Sequence, residues 1–213
     1  MNTDELAAAL SRHVEPVDRR LIRRSVGLAL VAAFILALGL MAVSLGVRAD
    51  LMTAHAAVFL VGKVAFAIAI VGIALIYLLR LARPGGEHKV TSRWPVAPFA
   101  AAILLAAVSL ALSPSSHWNG MILGDEWLEC LLSIPIIAIV PFAVLVWAVR
   151  QAAPTNLVRT GAFTGLVAGG VSALAYALHC TTDSLPFVAV WYGGTIVLCT
   201  VAGAALGPRL LRW

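Results

Sequence analysis

Residues 25–47, SVGLALVAAFILALGLMAVSLGV, run from Ser25 to Val47 without one charged side chain. A helix rises about 1.5 Å per residue and the hydrocarbon slab of a bilayer is roughly 30 Å thick, so about 20 apolar residues cross it once. Five further runs follow: Ala54 to Leu79, interrupted only by Lys63, then Trp94 to Leu112, Leu131 to Val149, Thr160 to Leu178 and Leu185 to Leu206. A mean hydropathy of +0.98 points the same way, as do 62% apolar and 12% charged residues in a chain of 213. A soluble domain of this size could not hide so much apolar surface. The first run is too long for the core of a signal peptide, and the tail before it is mixed in charge, so it reads as a span. In lipid each backbone polar group must be satisfied within its own structure, which leaves helices or closed barrels. Continuous runs without two-residue alternation decide for helices. The expected fold is therefore all-α. It is an integral membrane bundle of six transmembrane helices over residues 25–213, preceded by a segment, residues 1–24, with a short amphipathic helix.

Charge sets the expected orientation. Thirteen of the fifteen basic residues fall on the side of the N-terminus if the chain crosses six times; the exceptions are Arg48 and Lys63. The positive-inside rule then places both termini in the cytoplasm. Topology accounts for the net charge of +5, so no direct nucleic-acid partner is implied. The acids divide evenly, with Asp50, Asp125, Glu126, Glu129 and Asp183 on the opposite side, leaving that face net acidic.

Trp94, Trp118, Trp127 and Trp213 stand at or beyond span ends, where an amphipathic ring suits the headgroup layer. Gly161, Gly165 and Gly169 in the fifth run, with Gly203 and Gly207 in the sixth, are spaced four apart, which predicts close packing of these two helices. Pro135 and Pro141 are expected to kink the fourth. Lys63, the one charge in its run, reads as a residue snorkelling to the outer interface rather than as part of an ion path.

Two places can carry function. In the tail, Thr3 is expected to cap a helix whose first turn holds Asp4 and Glu5, with Leu6, Leu10 and Val14 on one face until Pro16 interrupts it. Such a helix takes a partner groove or lies on the membrane surface. On the far side, Cys130 precedes the fourth span and Cys180 follows the fifth, with His179 beside it and His117, Asp125, Glu126, Glu129 and Asp183 nearby. These residues are candidates for a thiol sensor or for transient binding of a thiophilic metal by Cys130, Cys180 and His179. A static disulfide or two inert buried thiols are the alternatives. Cys199, in the middle of an apolar run, reads as a small core residue. No phosphate loop, HExxH or GxSxG motif is present, and no resident cofactor or catalytic residue is implied.

The opening Met-Asn-Thr-Asp-Glu-Leu, the Pro-Val-x-Arg-Arg stretch at Pro16 to Arg20, six spans and single cysteines at 130 and 180, the latter after His179, resemble the NrsF family of negative regulators of sigma-F-type factors. The resemblance implies a membrane anti-sigma factor, not an enzyme. Such a protein would hold an extracytoplasmic-function sigma factor on the cytoplasmic side through the segment around Leu6, Leu10, Arg19 and Arg20. It would release that factor on oxidative or heavy-metal stress sensed at Cys130 and Cys180. The rival reading is a small six-span transporter or channel, which needs polar groups along a path through the bundle; an enzyme using Cys130 and His179 comes last.

Overall fold

A computed structural model describes residues 2, 3, 5, 6, 19–51, 53–82 and 93–212. Among the described residues, six helices are long and apolar enough to cross a membrane. The first, α1, is Arg19–Ser44, so Arg23 and Arg24 belong to the same helix as the apolar run that follows them. Next come α2, Ala54–Leu81, capped by the Thr53 hydroxyl, and α3, Ala97–Ala111, entered through a 3-10 turn at Trp94–Val96. A short helix α4, Trp118–Leu123, precedes α5, Trp127–Arg150, which runs unbroken with Pro135 and Pro141 inside it. The Asn156 side chain caps α6, Leu157–Tyr176, and α7, Leu185–Leu210, contains a π-helical stretch at Val188–Tyr192.

The sequence-expected span limits are met within a few residues, because each span is set by where polar side chains stop. One local expectation is corrected: Thr3 is helical, and Asn2 stands at the cap position. Its carbonyl accepts from Leu6 N–H, and its own N–H donates to the Glu5 carboxylate at 3.2 Å, as in a capping box. Leu10 lies outside the described residues, as do the side chains of Arg19 and Arg20.

Helix α6 is the axis of the bundle, packed by α1, α2, α5 and α7. It can be central because its residues are small: Gly161, Gly165, Gly169, Gly170 and several alanines line its buried surface. Against α7 the fit is at backbone level. A Cβ added to Gly161, Gly165, Gly203 or Gly207 would run into a carbonyl oxygen of the opposite helix, while one on Gly169 would sit 3.0 Å from Cys199 Cβ. Cys199 is thus a buried wall of this seam, as the sequence suggests. The hydroxyls of Thr160, Thr164 and Ser172 on α6 donate to carbonyls four residues earlier in their own helix, so they line no polar path. Large side chains such as Leu28, Val43, Val58, Ile103 and Leu112 point outward, as they should if lipid surrounds the bundle. The chain alternates direction through the six helices. The links that follow Ser44, Ala111 and Tyr176 therefore gather at one end, termed distal, and Arg19 of α1 and Leu210 of α7 lie at the other.

Candidate functional site

At the distal end the chain leaves α1 through Gly46, whose φ of +79° suits glycine, and its N–H returns to the Met41 carbonyl at 3.2 Å. This turn brings Arg48 inward, where its side chain is 1% exposed. All five guanidinium donors are used. Nε and Nη2 donate to Asp50 at 2.7 Å each; Nη1 and Nη2 donate to Asp183 at 3.1 and 3.0 Å; and Nη1 also reaches the Cys180 carbonyl at 2.9 Å. Lys63, on α2, completes the group. Its Nζ donates to Asp183 Oδ1 at 3.0 Å and to the Cys180 carbonyl at 3.1 Å, and lies 3.6 Å from Cys180 Sγ.

Lys63 therefore does not snorkel to the lipid interface. It is 1% exposed and buried among protein, because an acid from the α6–α7 link comes in to meet it. A buried cation survives only with such a partner. The Asp50 carboxyl, held by Arg48, falls to about 2. Burial works to raise the Asp183 carboxyl, but hydrogen bonds from Arg48 and Lys63 outweigh it and the net direction is down. The same two carboxylates hold the Arg48 guanidinium even more firmly in its charged form. Carboxyls lowered in the folded state contribute stability above their unfolded value and lose it as pH falls through the folded one. Thermal unfolding in detergent is thus expected to be insensitive to pH above about 3.8 and to weaken as pH falls toward about 2.

The segments that carry the two sequence-expected thiols are bonded together here. Cys130 lies in the first turn of α5 and Cys180 just past the end of α6; both are fully buried and free. The link between their segments is made by Glu126, which accepts from Thr181 N–H at 2.9 Å and from the Thr181 hydroxyl. Further clamps are Ser184 Oγ to the Met121 carbonyl at 2.7 Å and Trp191 Nε1 to the Ile122 carbonyl at 2.8 Å. Burial pushes the Cys180 thiol up, and the Lys63 ammonium opposes that rise.

His179 Nδ1 is 3.0 Å from the Gly46 carbonyl and Nε2 is 3.8 Å from Glu129, so the ring ties α1 to α5. Among the described residues no three His, Cys, Asp or Glu side chains form a set that could hold a metal ion. Sequence reasoning placed Asp183 near Cys180 but missed that it pairs with Lys63, and it missed Arg48 as a site residue. Their signal was the isolation of Arg48 and Lys63 from the other thirteen basic residues, on a side rich in acids.

Among the described residues, fold and site together define an all-helical protein of six membrane-length helices whose buried charges and two of whose three buried cysteines, Cys130 and Cys180, are gathered at one end rather than strung along the interior. The chain belongs to the NrsF family, whose model, described as negative regulator of sigma F, matches residues 10–213. It is 30% identical over 217 residues to the probable anti-sigma-F factor NrsF of Azospira oryzae, covering 100% of both chains. It is 32% identical over 214 residues to the anti-sigma-F factor NrsF of Caulobacter vibrioides, covering 99% of this chain and 97% of that one. No solved structure matches it.

Proposed function

We propose that this chain is an anti-sigma factor of the bacterial inner membrane. With both termini cytoplasmic, it holds an extracytoplasmic-function sigma factor through the segment around Leu6, Leu10, Arg19 and Arg20. It releases that factor when oxidative or heavy-metal stress acts on Cys130 and Cys180. The observation that carries the reading is the placement of two free thiols inside one network of bonds that also secures the end of α1. Arg48 N–H donates to the Leu178 carbonyl at 3.1 Å, and its guanidinium grips the Cys180 carbonyl. Helix α1 runs from this grip to Arg19, at the edge of the docking segment.

Joining Cys130 to Cys180 would pull the end of α6 toward α5 and strain the bonds that Arg48 and Lys63 make to the Cys180 carbonyl. Moving a switch from mostly held to mostly released takes roughly 5 kcal/mol for a hundredfold bias each way, a size approached by a disulfide at about 2–4 kcal/mol with the loss of one charged hydrogen bond. The test is a pull-down of the tagged chain from membranes before and after peroxide or cadmium. Wild type is expected to co-purify a sigma factor and lose it on treatment, while Cys130→Ser and Cys180→Ser retain it. No sigma factor in any lane would sink the reading.

A further inference from the structure

Two buried side chains beside the thiols have no evident structural use for their polar atoms. The hydroxyls of Tyr176 and Tyr192 are, among the described residues, the buried side-chain oxygens without any hydrogen-bond partner. Both tyrosines are fully buried, their rings lie 5.9 Å apart, and Tyr176 is 5.6 Å from His179. The Tyr192 hydroxyl lies beside the Cys180 sulfur without the geometry of a hydrogen bond to it, and the Cys180 N–H donates to the Tyr176 carbonyl at 3.1 Å, which sets Tyr176 one helical turn before the thiol. Burying a hydroxyl unpaired is unfavourable, and phenylalanine would fill either place without that penalty. Lys63 adds a third donor, its Nζ 3.6 Å from Cys180 Sγ. These donors face a sulfur that itself donates to the Thr182 carbonyl at 3.9 Å and is only a weak acceptor for them. An oxygen attached to that sulfur would give them a good one.

We propose that Tyr192 and Tyr176 receive the oxygen that a hydroperoxide places on Cys180, making Cys180 the thiol oxidised first and Cys130 the one that resolves it. The inference rests on the reading of these cysteines as the sensor. In the first step the Cys180 sulfur attacks one peroxide oxygen. The S–O bond forms, the O–O bond breaks, and the departing hydroxide or alkoxide ends as water or alcohol with the thiol's proton. The sulfur is oxidised to sulfenic acid and the peroxide is reduced. In the second step the Cys130 sulfur attacks that of Cys180. The S–S bond forms, the S–O bond breaks, and the oxygen leaves as water with the Cys130 proton. The ammonium of Lys63 favours negative charge on the Cys180 sulfur during attack, and the two phenols bond the oxygen that arrives. A small uncharged oxidant suits the burial of the site.

The experiment uses the full chain in native membranes, pulsed with hydrogen peroxide and quenched by denaturing. Disulfide is read by peptide mass spectrometry, and sulfenic acid by dimedone capture in the Cys130→Ser and Cys180→Ser backgrounds. Capture is expected at Cys180 when Cys130 is absent, and far less at Cys130 when Cys180 is absent. Tyr192→Phe is expected to slow disulfide formation about tenfold, the worth of one hydrogen bond to developing charge, and Tyr176→Phe to slow it less. Neither change should lower the melting temperature, because no bond is lost in the resting state. Wild-type oxidation rates in both phenylalanine variants, or preferential capture at Cys130, would overturn the proposal. Sigma-factor release is scored in the same membranes. Absence of a sigma factor with the tyrosine effect intact defeats only the anti-sigma reading, whereas normal peroxide release in both variants defeats only the tyrosine role.

Discussion

Asp183→Ala is expected to lower the stability of the bundle by about 3–5 kcal/mol, as befits removal of one partner from a buried ion pair. The carboxylate accepts from both Arg48 and Lys63, whose side chains are 1% and 0% exposed. Without it Arg48 retains Asp50, but Lys63 keeps only the Cys180 carbonyl and sulfur. The measurement is thermal unfolding in detergent, with Asp50→Asn as the comparison. Asp50 is half exposed, so water replaces much of what it gives, and its loss should cost far less. Combining Asp183→Ala with Lys63→Met removes the stranded charge and should recover part of the loss. Equal melting temperatures for wild type and Asp183→Ala would mean that the cluster is not a structural latch.

The second large effect is steric. Gly165→Ala and Gly203→Ala each add one methyl group where α6 and α7 meet backbone to backbone, and a carbonyl oxygen occupies the space. Neither oxygen can yield without moving its helix. Overpacking costs about 1–3 kcal/mol in ordinary cores, and here the upper part of that range or beyond is expected because backbone must move. Between helices in lipid no hydrophobic force compensates for lost contact, so association depends on this fit. Gly72→Ala and Gly194→Ala meet nothing within 4 Å and should be harmless. Folded yield and melting temperature of the four variants decide the matter; uniform behaviour across them would refute the seam.

How much of this was legible in the chain depends on the range of the interaction. Span limits are local, and a run such as residues 25–47 declares itself through composition. The glycine seam was also visible, because its spacing repeats within each of two helices. Cys130 and Cys180 could be assigned to one end by counting crossings. The partner of Lys63 could not, since Asp183 lies 120 residues away and reaches it only through the fold of the α6–α7 link. In isolation a lone lysine in an apolar run is best explained by a lipid-facing position near the interface. Tyr176 and Tyr192 were equally silent: a tyrosine near a span end looks like an interfacial anchor until both hydroxyls are seen buried and without partners.

The contact of α6 with α7 also has a mechanical meaning. From Leu157 opposite Gly207 to Gly169 opposite Ile196 the two backbones touch, with no flexible side chains between them to absorb displacement. Over that stretch the pair behaves as a single thick strut. A tilt imposed on α6 anywhere between residues 157 and 169 is therefore carried by α7 as well, so that half of the bundle moves as a pair.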